Sequence, residues 1–157
     1  MMYSRLREML ILHEGVRHHV YDDATGRTLT PGTVLRGFPT VGVGRNLATR
    51  GLSRDEIEYL LNNDIRAVRD EVRARLHDIW PLLNDARKDA ICDMAFNLGV
   101  AGLLQFRRML SALRRQDWDG AAREMLDSLW AQQVGERARR LAAMMRSGTY
   151  EALDDAL

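Results

Sequence analysis

The stretch SRDEIEYLLNNDIRAVRDEVRARL, residues 53–76, decides how the chain is organised. Ser53 followed three residues later by Glu56 is the capping-box pattern with which helices begin. Beyond it, apolar residues recur at steps of three and four, as on one face of an α-helix: Ile57, Leu60, Leu61, Ile65, Val68, Val72 and Leu76. A helix of about 22 residues is roughly 33 Å long. The stretch therefore predicts one long amphipathic helix with differently built segments on either side.

The segment before the long helix has the pattern of a small α+β lobe. Ser4 is a candidate cap for a first helix, and Gly15 is a candidate stop. HHVYDD, residues 18–23, is typical of a short strand. The residues that follow are rich in Gly, Thr, Val and Pro, and turn signals at Thr25–Gly26 and Pro31–Gly32 predict a small antiparallel sheet.

The segment after the long helix has no strand pattern beyond Pro81. Helices are predicted there, separated by Gly and polar breaks, near residues 84–98, 103–115, 118–130 and 136–146. The sequence thus predicts an α+β fold in one domain, residues 1–157. Its parts are a small antiparallel-sheet lobe (1–52), the connecting helix (53–76) and an all-helical C-terminal lobe (77–157).

The composition indicates a globular protein without covalent or metal cross-links. The chain has 157 residues, 46% of them apolar, which is enough to bury a sizeable core. Cys92 is the single cysteine, so an intramolecular disulfide and a Cys-based metal set are excluded. His18 and His19 point to opposite faces of the predicted strand, and we expect neither a metal nor a cofactor. The apolar run Met9–Leu12 is too short for a signal peptide or a membrane span, so export is expected to use another route.

The formal net charge is only +1, so no strong general attraction to nucleic acid is expected. Residues 107–146 differ, because they contain nine arginines and five acidic residues. The arginines are Arg107, Arg108, Arg114, Arg115, Arg123, Arg137, Arg139, Arg140 and Arg146, and the acids are Asp117, Asp119, Glu124, Asp127 and Glu136. Two interpretations stay open: the arginines form solvated helix faces, or they form a patch that meets an anionic polymer.

Glu14 and Asp23 are the candidate catalytic pair. Glu14 lies at the end of the predicted first helix, where the macrodipole is negative. That position and partial burial favour a protonated carboxyl, which is the form that a leaving glycosidic oxygen requires. Asp23, in a hydrated strand end, is expected to stay ionised, so the pair can divide the roles of acid and base. Asp22 competes with Asp23, but alternation along the strand lets only one of them face the site, and the register favours Asp23.

The segments HEGVRHHVYDDATG (13–26) and PTVGVGRNL (39–47) resemble the signature of the bacteriophage-type lysozymes, or endolysins. Further segments match that family in the same order along almost the whole chain: LLNNDI (60–65), MAFNLG (94–99), RRQDWDGAA (114–122), ERARRL (136–141) and RSGTY (146–150). The resemblance implies a bilobed lysozyme-like fold and an endo-acting muramidase. Such an enzyme hydrolyses the β-1,4 bond between N-acetylmuramic acid and N-acetylglucosamine in peptidoglycan.

The resemblance also implies catalytic roles. Glu14 is the general acid, Asp23 is the second carboxylate, and Thr40 completes the set by holding the attacking water together with Asp23. The outcome is inversion, with a carboxyl separation of about 6.5–9.5 Å. Thr28, Thr30 and Thr33 compete with Thr40, but VGVG (41–44) directly after Thr40 favours it, because glycines allow a close backbone approach to a sugar. The long interval before Thr40 predicts an extended hairpin over residues 27–39.

Alignment with the family assigns the substrate-contacting positions to Asn46, Phe96, Asn97, Met109 and Glu124. It places Arg137 near Glu14. Arg45 stands where some relatives have a histidine, and Asp64 on the long helix is its expected partner. The tryptophans are expected to pack in the core rather than to serve as sugar platforms: Trp80, Trp118 and Trp130.

Two other functions stay open. A lytic transglycosylase acts on the same bond with one acidic residue and forms an anhydro-sugar without water, and the presence of Asp23 and Thr40 beside Glu14 argues against it. A non-catalytic binder of cell wall or nucleic acid would use the arginine-rich helices, but no nucleic-acid motif is present. By family analogy we expect a monomer that binds peptidoglycan. It would stay in the host bacterial cytoplasm until a holin permeabilises the membrane.

Overall fold

The N-terminal part of the chain contains one helix and a three-stranded antiparallel sheet, in a computed structural model that describes residues 3–157. The elements are α1 (Ser4–Glu14), β1 (Arg17–Asp22), β2 (Pro39–Gly42) and β3 (Arg45–Asn46), and the sheet order is β1-β2-β3. Gly15 ends α1 as predicted, with a φ of 73° and its N–H donating to the carbonyl of Ile11. The prediction that Ser4 caps this helix is wrong, because Ser4 is already helical and the preceding residue, Tyr3, makes no side-chain cap.

The sheet register aligns one residue from each strand. Tyr21 of β1 lies opposite Thr40 of β2, and Thr40 lies opposite Asn46 of β3. Directly opposed residues of antiparallel strands share a face of the sheet. Asp23 is the first residue after β1, so the observed strand begins and ends one residue earlier than predicted.

The chain between β1 and β2 first returns along the free edge of β1. The N–H of Leu29 donates to the carbonyl of Val20, and the N–H of Asp22 donates to the carbonyl of Arg27, both at 2.9 Å. A turn at Pro31–Gly32 follows, in which Gly32 has a φ of 84°, as the third position of a type II turn requires. Residues 27–39, for which the sequence predicts an extended hairpin, therefore begin by pairing with β1.

The long helix is confirmed as α2 (Arg54–Arg75). Its capping box forms in both directions: the N–H of Glu56 donates to Oγ of Ser53 (3.3 Å), and the carboxylate of Glu56 accepts from the N–H of Ser53 (2.7 Å). Glu56 also forms an ion pair with Arg45 of β3. These contacts join the first turn of α2 to the sheet. The chain accordingly divides into two compact units after Tyr59, within the helix rather than at its start.

The second unit, Leu60–Leu157, is helical throughout its described elements after α2. These are a 3₁₀ turn (Trp80–Leu82), α3 (Asp85–Leu103), α4 (Arg107–Arg114), α5 (Trp118–Leu126), α6 (Leu129–Val134), α7 (Glu136–Ser147) and α8 (Glu151–Asp154). The helix predicted over 118–130 is in fact two helices, because the Oγ of Ser128 accepts from the N–H of Ala131 and begins α6. The short final helix α8 was not predicted.

The hydrophobic core lies in the second unit. Its largest fully buried apolar side chains are Val72, Leu76, Ile79, Ile91, Met94, Leu103, Met109, Leu113, Met125 and Met145. Trp130 is buried in this core, and Trp80 and Trp118 pack against it, which confirms their predicted packing role. Burial also raises the pKa of the Cys92 thiol to about 11, so this cysteine stays protonated near neutral pH.

None of the helices within residues 3–157 combines the length and the apolar character that a membrane span requires.

Candidate active site

Glu14 is the last residue of α1 and lies directly over the turn between β2 and β3. A Cβ atom built on Gly44 would stand 2.7 Å from Oε2 of Glu14 and 3.0 Å from its Cδ. Gly44 also has a φ of 64°, which favours glycine, and a side chain there would force the Glu14 carboxylate to move. Gly44, for which the sequence analysis predicts a close approach of a sugar, thus allows the close approach of the Glu14 carboxylate. Glu14 is exposed rather than partly buried as expected.

Asp23 and Thr40 are joined through the main chain of Phe38. The N–H of Phe38 donates to Oδ1 of Asp23 at 2.7 Å. The carbonyl of Phe38 accepts from the N–H of Asp23 and from the hydroxyl of Thr40, both at 3.1 Å. Pro39 restricts Phe38 to an extended conformation, which presets the direction of these groups. One peptide segment therefore fixes both the carboxylate and the hydroxyl.

Asp22, the rival carboxylate, is buried and enclosed by backbone amides. Its Oδ1 accepts from the N–H groups of Ala24 (2.9 Å) and Gly37 (3.0 Å), and its Oδ2 accepts from the N–H of Arg36 (2.8 Å). The Arg36 amide is the first of several backbone donors that hold the pKa of Asp22 below its ordinary value, against the opposing effect of burial. Both oxygens of Asp22 are therefore engaged and the residue is 2% exposed, whereas Asp23 is exposed.

The most deeply buried residues of the first unit lie at the same site. Within residues 3–59, the two side chains that are almost wholly inaccessible are Asp22 (2% exposed) and Thr40 (3% exposed). Both are polar, whereas fully buried positions are normally apolar. In this unit, burial and hydrogen bonding therefore hold two polar side chains in defined positions.

The competing threonines are engaged elsewhere. Thr30 and Thr33 hydrogen-bond to each other across the Pro31–Gly32 turn, with 3.1 Å between their hydroxyl oxygens. Thr28 lies on the opposite edge of β1, where its hydroxyl accepts from Arg17. Thr40 is thus the threonine that the structure brings next to Asp23.

The comparison with protein families identifies the family of the chain. The model of the family described as phage lysozyme matches residues 12–147. The chain belongs to the phage lysozyme family. Membership makes it a lysozyme-like glycoside hydrolase.

The relatives of this phage lysozyme family member differ in length. The pre-baseplate central spike protein Gp5 of Enterobacteria phage T4 is 26% identical over 94% of the chain, which spans only 28% of that protein. The proteins named probable T4-type lysozyme 1 and 2 of Dictyostelium discoideum are 26% and 25% identical over 96% of the chain. The match covers 99% and 98% of their own lengths.

Four of the predicted substrate-contacting residues belong to the second unit of this lysozyme family member. Met109 and Glu124 line a cavity of about 580 Å³ between α4 and α6, although Met109 itself is fully buried. Phe96 is 49% exposed and lines a separate cavity of about 470 Å³. Asn97 is exposed, and its Oδ1 accepts from the indole N–H of Trp130 at 2.9 Å. The four residues thus divide between different surfaces of one unit, and their contact with substrate stays a prediction.

Asn46, the fifth predicted contact, lies on β3 beside Thr40. Its Oδ1 accepts from the N–H groups of Ala48 and Thr49, both at 3.0 Å, so it closes the turn after β3. This leaves its amide N–H groups as donors. Within the first unit, Asn46 therefore shares the sheet face of the candidate catalytic threonine.

The structure gives partners to two arginines that the sequence analysis singled out. Arg45 forms an ion pair with Glu56, and its Nε donates to the carbonyl of Gly51 at 3.0 Å, so the predicted partner Asp64 is wrong. Arg137 forms an ion pair with Asp93 at 2.7 Å within the second unit, and its position near Glu14 stays a prediction. The capping box predicted the contact of Glu56 with Ser53, but no local pattern predicted its ion pair with Arg45.

Proposed function

We propose that this chain hydrolyses the β-1,4 bond between N-acetylmuramic acid and N-acetylglucosamine in peptidoglycan, with inversion at the anomeric carbon. Glu14 donates its proton to the leaving glycosidic oxygen. Asp23 is the general base, and Thr40 holds the attacking water with it. Each of these roles needs a group that is already oriented before the sugar binds.

The attachment of Asp23 and Thr40 to Phe38 is the observation that carries this proposal. The hydroxyl hydrogen of Thr40 is committed to the Phe38 carbonyl, so toward an attacking water its oxygen would act as an acceptor. Oδ1 of Asp23 is occupied by the Phe38 amide, which leaves Oδ2 for the same water. A water that donates one hydrogen to each residue keeps its lone pair for the anomeric carbon. Asp23 then removes the proton as the bond to carbon forms.

The first products decide between the possible reactions. Purified peptidoglycan glycan strands are digested, and the nascent products are followed by proton NMR before mutarotation. We expect reducing N-acetylmuramic acid ends in the α configuration, because water attacks the face opposite the β-linked leaving group. β-Reducing ends would contradict inversion, 1,6-anhydro ends would indicate a lytic transglycosylase, and unchanged glycan would indicate a binder.

We further propose that the enzyme acts as a monomer in host-cell lysis and reaches the wall through a holin-type membrane lesion. Its relatives are named both as lysozymes and as a spike component, so the setting needs its own test. The chain is produced in bacteria alone and together with a membrane-permeabilising agent. Lysis that requires the agent supports this setting, and lysis by the chain alone contradicts it. Light scattering of the purified protein tests the monomer.

A further inference from the structure

Two consecutive carboxylates bind three consecutive amides. Asp22 accepts from the N–H groups of Arg36 and Gly37, and Asp23 accepts from the N–H of Phe38. These amides lie at the end of the long connection between β1 and β2, immediately before β2 begins at Pro39. The hydrogen bonds to the two acids therefore hold the C-terminal end of this connection in place.

Gly37 makes this arrangement possible. A Cβ built on Gly37 would lie 2.0 Å from Oδ1 of Asp23 and 2.8 Å from Cβ of Ala24. The main chain at Gly37 thus passes over the carboxylate of Asp23 at a distance that no other residue permits. Segment 36–38 is fixed from one side by Asp22 and from the other by close packing.

We propose that Asp22 is a positioning residue, which orients Asp23 and Thr40 by holding segment 36–38 in place. Phe38 transmits the effect, because its N–H and carbonyl contact both residues. This inference rests on the proposed function, since it assumes that Asp23 and Thr40 hold the attacking water. Asp22 is not assigned a catalytic role, because the hydrogen bonds of its carboxylate are to backbone amides.

Asp22→Asn is the sharpest test of this role. The asparagine carbonyl oxygen can replace Oδ1 and keep the amides of Ala24 and Gly37. Its amino group then faces the N–H of Arg36, which places donor against donor and breaks the third contact. The variant keeps the shape of the side chain and removes one anchor of segment 36–38.

Glu56→Gln is the matched control. Glu56 also accepts from a backbone N–H, that of Ser53, and its pKa is also held low first by that amide. It lies in the same unit but contacts Arg45 and the start of α2 instead of segment 36–38. A purely structural loss should therefore affect the two variants in the same way.

The experiment measures kcat and KM on soluble glycan strands and, separately, amide hydrogen exchange at Phe38 by NMR. In folded Asp22→Asn we expect kcat to fall by at least about tenfold with KM within about twofold, and the Phe38 amide to exchange at least about tenfold faster. Glu56→Gln should change neither. Gly37→Ala, which displaces Asp23 sterically, should reproduce the loss of kcat if Asp22→Asn does not fold.

Each readout can overturn the inference. An unchanged exchange rate at Phe38 would show that Asp22 does not hold the segment. Faster exchange with unchanged kcat would show that the segment does not position the reaction. If the wild-type chain cleaves no glycan, the proposed function fails, and the exchange measurement still decides whether Asp22 anchors segment 36–38.

Discussion

Glu14 and Gly44 are in direct contact, so that a Cβ on Gly44 would lie 2.7 Å from Oε2 of Glu14. The contact joins the end of α1 to the turn between β2 and β3 and restricts where the carboxylate can lie. A proton donor must be aligned with the bond that it helps to break, and small displacements are costly. A side chain at position 44 would therefore force the carboxylate of Glu14 out of its present position.

Gly44→Ala should impair activity far more than Gly42→Ala. Both glycines have left-handed φ values, 64° and 67°, so alanine is strained at each by about 1–2 kcal/mol. A Cβ on Gly42 meets nothing within 4 Å, whereas a Cβ on Gly44 displaces Glu14. We expect kcat of Gly44→Ala to be at least about tenfold below that of Gly42→Ala at similar melting temperatures. Equal kcat values would show that the contact is irrelevant to catalysis.

Glu14→Gln should fold normally and lose lytic activity by about two to four orders of magnitude. The amide has the same shape but cannot protonate a leaving oxygen. Turbidity clearing of bacterial walls at equal concentrations of folded protein is the measurement. Glu8→Gln, on an exposed position of the same helix, is the control. Clearing by Glu14→Gln within about tenfold of wild type would exclude Glu14 as the general acid.

Asp23→Asn should also lose about two to four orders of magnitude of kcat while it keeps its stability. The asparagine carbonyl can still accept from the N–H of Phe38, so the local geometry survives and the base is lost. Thermal melts and product formation are measured together. A variant that is inactive only because its melting temperature has collapsed would not support the assignment.

The first unit should lose stability in acid because of Asp22 and Glu56. The pKa of each carboxyl is lower in the folded chain than its ordinary value of 3.8 or 4.5. Stability from such groups is complete above the unfolded pKa and is lost as the pH falls through the folded pKa. Urea midpoints of the wild type should therefore drop below about pH 4. The drop should be smaller in the double variant Asp22→Asn/Glu56→Gln, and an identical drop would contradict this origin.

Wall lysis should weaken with salt if the second unit uses its arginines to approach an anionic surface. Arg108, Arg115 and Arg123 line one cavity of about 300 Å³, whereas Arg114, which the sequence places in the same group, pairs with Asp78. The Debye length, over which charges interact, falls from about 10 Å at 0.1 M salt to about 3 Å at 1 M. Reversal of the three cavity arginines to Glu should lower the rate at low salt and remove its salt dependence.

The control for this prediction reverses three exposed arginines of α2, at positions 66, 73 and 75, which changes the net charge equally. Cleavage of a short neutral oligomer should be unchanged in both variants. If wall lysis is flat between 0.1 M and 1 M salt, or the two reversals behave alike, the cavity arginines only solvate the surface.

Local signals in the sequence predicted the secondary structure well. The capping box and the apolar steps of three and four placed α2 almost to the residue, because both act within one or two helical turns. Gly15 stops α1 for an equally local reason, its left-handed φ. The division into two compact units after Tyr59 depends on contacts between different elements, such as the ion pair of Arg45 with Glu56.

Residue types and spacing, together with the family resemblance, indicate Glu14, Asp23 and Thr40 as the candidate catalytic residues. The structure adds what no local pattern contains: the enclosure of Asp22 by distant amides and the close passage of Gly37 over Asp23. Which of the two adjacent acids is buried depends on which one accepts hydrogen bonds from the amides of residues 36 and 37. Those amides come close to β1 only in the folded chain. The sequence by itself determined most of the helices and strands, because these follow from interactions between near neighbours, and the family resemblance added the candidate groups. Only the tertiary structure decided which carboxylate is buried as an anchor and which stays exposed, because burial and hydrogen bonding there come from residues far apart in the chain.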